Sequence, residues 1–583
     1  MRRLSAGAAS QARLAAAGSL LLFVLPGCQH LLDETDRQVY SLIERRQQQA
    51  IGLQSDARIA RGDARIGAGR SGYAFVPDPA DPQVPQDFTR RVTTQPTSRP
   101  TTYPTTTQGV TAASGPATTQ ADTTVEADEA NVLRFELRDC LKYAFGHSRE
   151  YQTAKEDLYL SALALTLERH LWTPTWVAKL DAEYDYVRDF DRSMQAVAEV
   201  AVTQRLPYGG EVTARVIDTL VRDVGNHVTT TENGRYSLEA SVPLLRGAGR
   251  VAYESRYQAE RDLTYAVRRF ERFRREFAVS VASDYYNLLQ RKQQIENTQK
   301  KADSNRDSFE RDKALFDAGR ATVLDVQRTK QEELVATNQV LVAGEAYQSL
   351  LDQFKITLGM PIARPLELTE AELDVPLPSV SEQRAIEVAL GSRLDLFNTR
   401  DRIDDAKRQI LVARNGLLPD LDLRGQVAAG TESDILDLTA FENSRISWQG
   451  GVTLNLPVER KEELNRYRSS LVSWRRAERQ YQLAADQVSQ EVRRALRQIQ
   501  QAQVTLQIQQ MGMELAENRR AYAEFAFREG LLSNRDVVEA ENDLLNARNA
   551  YAAAQAGLRV AILSFRRDTG TLRTDEEGNF LDR

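Results

Sequence analysis

From Ala252 to Ala318, and again from Glu462 to Glu529, the chain runs for roughly 67 residues without a proline. At a rise of about 1.5 Å per residue each stretch spans ~100 Å as a helix. In the first, Leu288, Ile295, Ala302, Phe309 and Phe316 recur every seven residues, after Leu263, Phe270 and Phe277 at the same spacing. In the second, Ala485, Val492, Ile499, Leu506 and Met513 keep the interval. A sustained seven-residue apolar repeat predicts coiled-coil packing rather than a globular helix. Gln, Arg and Glu dominate the remaining faces, so these helices are wet on at least one side.

Each stretch stops at a similar place. "FDAGRATVLDV" (316–326) and "FREGLLSNRDV" (527–537) both carry Phe, Gly three residues later, and Asp-Val six and seven residues after that Gly. Gly319 and Gly530 suit the left-handed residue just past a helix C-terminus. Thr322 with Asp325, and Ser533 with Asp536, have capping-box spacing, with Asp in place of the commoner Glu. Each stretch therefore ends one helix and starts a return helix, expected from Val323 to Gly359 and from Arg535 to Arg567. Both aspartates can act simply as caps, favoured further by the helix dipole.

The matches continue without a gap through Leu334/Leu545, Asn338/Asn549, Phe354/Phe565 and Gly359/Gly570. Earlier, helical patterns end at Pro174 and Pro419, with Gly146 and Gly391 at the same offset. A repeat of more than 200 residues is a duplicated half, not a solenoid unit. After each proline the period changes to two. Leu180, Ala182, Tyr184 and Tyr186 alternate with acids, and Tyr236, Leu238, Ala240 and Val242 with Ser and Glu. Leu421, Leu423 and Val427, then Ile446, Trp448, Val452 and Leu454, repeat this in the second half. These are strands with one apolar and one polar face. An additional hairpin is expected at about 194–224, turning at "LPYGG". Each strand is near the ~9–11 residues that cross a bilayer when tilted. Four to six strands cannot close a barrel alone, and open edges are not tolerated in lipid, so several subunits would share one.

The N-terminus reads as an address. Arg2 and Arg3 precede the apolar "LAAAGSLLLFVLPG", which ends at Cys28. This is the pattern of an export signal over 1–28, too short for a membrane span. "LPGC" resembles a bacterial lipobox, with Pro26 as a departure, and implies lipidation of Cys28; acyl chains would hold the chain on a bilayer surface. Gln29 in place of Asp is consistent, by resemblance to lipoprotein sorting, with outer-membrane delivery. Residues 29–130 form an N-terminal extension. It has a short helix expected over Leu31–Ala50 and a Thr/Pro-rich linker at 93–124 that cannot bury enough surface to order itself.

Composition excludes other classes. Lys+Arg number 76 against 82 Asp+Glu, a net charge of −6, which argues against nucleic-acid binding. The cysteines are two, Cys28 and Cys140, and the four histidines are scattered. No nucleophile, P-loop or metal-ligand motif is visible, so no enzyme and no cofactor are expected.

The lipobox, strand pairs, long coiled helices and doubled Gly-x5-Asp-Val turn together resemble the TolC-like outer-membrane efflux protein (OEP) family, over about residues 132–570. "PLLRGAGR" (243–250) is typical of its members. The resemblance implies a mainly α fold with β, organised as a first repeat at 131–375, a second at 376–570 and a tail at 571–583. It implies a homotrimer whose strands share a 12-stranded transmembrane β-barrel, four per protomer; the extra hairpin leaves the count at four or six. Long helices would form a periplasmic α-barrel docked on a periplasmic adaptor protein and an inner-membrane RND, ABC or MFS pump. Asp536 and Glu539 fall where members carry an acidic pore ring. Gly319, Thr322, Asp325, Gly530 and Ser533 fall at the adaptor-facing tips. Leu532 stands where some members have an Arg that ties the tip shut. The alternative is a lipid-anchored periplasmic coiled-coil tether without a pore.

Overall fold

A computed structural model of the chain describes residues 28–52, 57–58, 132–187, 191–223, 229–370, 377–431, 441–575 and 577–581. All but Cys28 of the export signal expected over 1–28, and the Thr/Pro-rich linker expected at 93–124, lie outside the described residues. The chain divides into a large unit (1–59, 135–360, 368–583) and a small one (60–134, 361–367). In the small unit, the Leu133 N–H donates to the Pro365 carbonyl at 3.3 Å and Arg134 pairs with Glu367 at 3.2 Å. These bonds belong to the short ladder of β1 (Leu133–Phe135) with β6 (Leu366–Leu368).

In the large unit, α1 (Cys28–Ile51) lies on α3 (Arg149–His170) and α4 (Glu254–Asp317). Arg46 pairs with Glu260 at 2.8 Å, and the Tyr159 hydroxyl donates to Asp36 at 2.5 Å. The 64-residue α4 returns through α5 (Val323–Leu358), and the 68-residue α8 (Lys461–Arg528) through α9 (Asn534–Asp568). α3 packs on α4, α7 (Leu394–Asn415) on α8, and α9 crosses to α4. The heptad residues Leu263, Phe270, Phe277 and Leu288 are buried, as are Val492 and Ile499. Their partners differ. α4 is covered by Phe145 and Tyr151 from the preceding helices, whose rings lie 6.3 Å from Phe277 and 5.7 Å from Phe270, whereas Val492 and Ile499 meet Ala385, Ala389, Ile562 and Phe565.

The helical patterns ahead of Pro174 and Pro419 each break in two. α2 (Leu137–His147) stops at Ser148, with φ −63 and ψ 129, and α6 (Glu382–Ser392) at Arg393, with φ −74 and ψ 122. The sequence reading of single helices is corrected here. Each break brings backbone against the left-handed glycine that ends a return helix. A Cβ on Gly359 would lie 2.0 Å from the His147 carbonyl, and one on Gly570 3.0 Å from Ser392 Oγ. The duplicated Gly359/Gly570 pair thus marks a close approach as well as a positive φ.

The remaining strands make one antiparallel sheet: β2 (Thr175–Val187), β3 (Asp191–Arg205), β4 (Glu211–Asp223), β5 (Thr229–Pro243), β7 (Asp420–Thr431) and β8 (Phe441–Asn455), in that order. The four strands per protomer implied by the family resemblance become six. β3 and β4 are the extra pair, joined at Leu206–Gly210. A final short ladder joins β9 (Arg573–Thr574) and β10 (Phe580–Leu581).

Candidate gate turns and membrane sheet

Both turns use the same backbone solution. Gly319 has φ +73 and Gly530 φ +72, with nothing within 4 Å of where a Cβ would stand. The Arg320 N–H reaches the Leu315 carbonyl at 2.7 Å, and the Leu531 N–H that of Ala526 at 2.9 Å, each closing the last turn of its helix. The Thr322 N–H and hydroxyl donate to Asp325 Oδ2 at 3.1 and 2.7 Å. The Ser533 N–H and hydroxyl donate to Asp536 Oδ2 at 2.9 and 2.6 Å. The hydroxyl and then the backbone bond hold both carboxyls below their ordinary range. Five of the expected tip residues, Gly319, Thr322, Asp325, Gly530 and Ser533, therefore sit in two matching caps.

The surroundings differ. Beneath the second turn Ala523, Val537 and Ala540 are buried together, with Phe527 and Leu532 packed against them and Arg311 of α4 over the Phe527 ring at 5.1 Å. Leu532 is thus a packing residue. At the first turn Phe316, Val323 and Leu324 are all exposed. Glu539 is one helical turn beyond Asp536 and carries an ion pair that the sequence reading did not identify. Arg519 of α8 lies 3.7 Å from it and also binds Asp543. Arg519 precedes Glu539 by twenty residues on another helix, so only the hairpin register brings them together. α9 is tied to α4 by Asn297 to Asn549 at 2.9 Å and Ser304 to Glu541 at 2.5 Å.

At the sheet, register places Trp176, Val202, Ala214, Leu238, Val427 and Trp448 in one row across all six strands. Residues two apart along each strand share that face. Trp176 is 74% exposed and Trp448 80%, and Leu180, Tyr184, Val452 and Leu454 beside them are exposed too. The opposite face is polar, with Lys179 paired to Asp181 at 2.6 Å and Arg215 to Glu199 at 2.9 Å. One side of the sheet is thus a largely apolar uncovered surface, interrupted by Asp218 of β4, and the helices join the sheet at one end, where β2 and β7 begin and β5 and β8 finish. Among the described residues no helix is long and apolar enough to cross a membrane.

The extra hairpin is seated on "PLLRGAGR". The Gly249 N–H donates to the Tyr208 carbonyl at 2.7 Å. Gly209 (φ +101) and Gly210 (φ +88) let the turn lie flat; a Cβ on Gly210 would stand 2.2 Å from the Ser241 carbonyl.

The sequence pattern of the family described as outer membrane efflux protein matches residues 217–356 and 385–571, more than half of the chain. The chain belongs to the outer membrane efflux protein family. Among relatives of this efflux-family chain, the alkaline protease secretion protein AprF of Pseudomonas aeruginosa is 22% identical over 382 residues, 62% of this chain and 76% of AprF. Outer membrane protein TolC of Escherichia coli is 22% identical over 309 residues, 51% of this chain and 62% of TolC. The fold is similar to the crystal structure of the Campylobacter jejuni CmeC outer membrane channel, with a TM-score of 0.57 at 14% identity over 75% of this chain and 85% of CmeC. The family match begins inside β4, so β2 and β3 of the efflux-family chain lie ahead of it.

Proposed function

We propose that the protein is the passive outer-membrane conduit of a three-part export system. It works as a homotrimer, docked through its turn tips on a periplasmic adaptor that joins it to an inner-membrane RND, ABC or MFS pump. Cys28, at the start of α1, carries the lipid anchor. The observation that carries this reading is the sheet with one uncovered apolar face, joined at one end to two helical hairpins that reach ~100 Å. An apolar face of that extent in contact with water would be a strong aggregation site; facing lipid it is stable. Exposed apolar stripes on the helices support the oligomer. Val504, Ile508, Met511, Leu515, Tyr522 and Phe525 of α8 follow coiled-coil spacing and lack cover within the chain.

At the second turn, Asp536 and Glu539 supply the acidic ring, six carboxylates in a trimer, which attract cations and resist anions. Arg519 offsets part of that charge. Planar-bilayer conductance of the purified protein tests the conduit: stable channels are expected, and their absence leaves a tether. Deleting residues 171–244 and 419–456 together abolishes outer-membrane assembly if the sheet is the membrane part. The double substitution Asp536→Ala, Glu539→Ala lowers cation preference and block by multivalent cations. Unchanged block would reduce Asp536 to a helix cap.

A further inference from the structure

The sheet's two edges, β2 and β8, are unlike its interior. Every residue from Trp176 to Asp185 and from Ile446 to Leu456 is exposed, whereas the inner strands are largely half-buried by neighbours. Unpaired edges cannot sit in hydrocarbon, where each free N–H and C=O costs several kcal/mol. Six strands is an even number in an antiparallel sheet, so β2 and β8 run in opposite directions. Copies placed side by side can therefore join β8 to the next β2 antiparallel, with no parallel seam.

The chain carries its own template for that joint. Between the halves, β5 pairs with β7: Val242 opposite Leu423, Ala240 opposite Gly425, Glu239 opposite Gln426. Past Pro243, the Leu244 N–H still reaches the Leu421 carbonyl at 2.7 Å. β8 is followed by Leu456-Pro457-Val458, matching Val242-Pro243-Leu244 at the end of β5, and β2 follows Pro174 as β7 follows Pro419. Laying the second joint on the first puts Leu454 opposite Leu180, Thr453 opposite Asp181 and Asn455 opposite Lys179 of the next copy. The faces agree, apolar with apolar and polar with polar, which an odd shift would not allow. It also brings Val458, 100% exposed in the single chain, to the exposed Trp176.

We infer that three copies close through this β8–β2 joint into an 18-stranded barrel, with a hydrated passage wider than four strands per copy would enclose. This rests on the trimeric conduit proposed above. With strands about 4.8 Å apart and tilted about 40°, eighteen give a backbone diameter of roughly 36 Å, against roughly 24 Å for twelve. The added hairpin contributes no helix, because it turns back at Leu206–Gly210. The membrane section is then not the narrowest part of the path, and size selection falls to the helical part and its turns.

The test uses the full chain in outer membranes, with Thr453→Cys and Asp181→Cys combined. Directly opposite strand residues have Cα atoms about 4.5–5.5 Å apart, within disulfide reach. Oxidation is expected to give a reducible covalent trimer, and Thr453→Cys with Asp185→Cys at least tenfold less. Each single variant, read as a detergent-resistant trimer, checks that folding survives. Electron cryo-microscopy in nanodiscs is expected to count eighteen strands. A covalent ring of two copies, equal cross-linking at Asp185, or twelve strands overturns the inference while leaving a conducting channel intact. Loss of both cross-link and conductance in folded protein overturns the conduit reading and this inference with it.

Discussion

The two turns are near-copies in backbone and opposites in environment. Each has a left-handed glycine, a closing bond to the preceding helix and a hydroxyl–aspartate cap. The second rests on a small apolar cluster and on Arg311, while the first presents Phe316, Val323 and Leu324 to solvent. Local chemistry is sufficient to reverse a helix, and the contacts behind the turn then decide whether it is anchored. Applied to the proposed conduit, the anchored second turn suits a gate that must hold a shape. The exposed first turn suits a docking surface, where uncovered apolar side chains are available to a partner.

The comparison can be broken most directly at the paired phenylalanines. Phe527→Ala should cost about 2–3 kcal/mol of local stability, because it empties the cluster under the second turn. Phe316→Ala should cost less than about 1 kcal/mol, since its ring is already exposed. Amide hydrogen exchange over 520–540 and 312–326 reads both, and equal losses would erase the distinction. A smaller effect isolates what the turns share. Gly319→Ala and Gly530→Ala should each cost about 1 kcal/mol, the strain of a left-handed alanine, and should agree within a few tenths because neither site crowds a Cβ. A much larger cost at Gly530 would show that backbone geometry also differs.

The smallest effect is that of pH. Asp325 and Asp536 both have carboxyls held below the ordinary value of 3.8 by their capping bonds. A group with a depressed folded pKa stabilises the fold above its unfolded value and loses that contribution as pH falls through the folded one. Both turns should therefore keep their caps at neutral pH and fray together below about pH 4. Exchange rates at the Thr322 and Ser533 amides would follow this, and loosening of only one turn would separate the two caps.

Much of this was legible in the chain. The heptads at Leu263–Leu288 and at Val492–Ile499 located the long helices, because one buried stripe per helix is a periodic constraint. The caps were legible because Gly, Thr or Ser, and Asp act within four residues of each other. The breaks at Ser148 and Arg393 were not. Gly146 and Gly391 stand two residues ahead of them but lie within helix, and what sets each break is contact of its backbone with a glycine about 180–210 residues away. Arg519 was missed for the same reason, as its pairing with Glu539 depends on the register of two helices.

By itself the sequence determined what depends on near neighbours: where helices run and reverse, which strand residues share a face, and that the halves are duplicated. Tertiary structure decided what depends on residues far apart. It placed β3 and β4 inside the sheet rather than beside it and seated their turn on the "PLLRGAGR" elbow. It also gave two equivalent turns unequal support. Local bonds are encoded within one turn of chain, whereas strand order and packing are settled only when distant segments compete for the same neighbours.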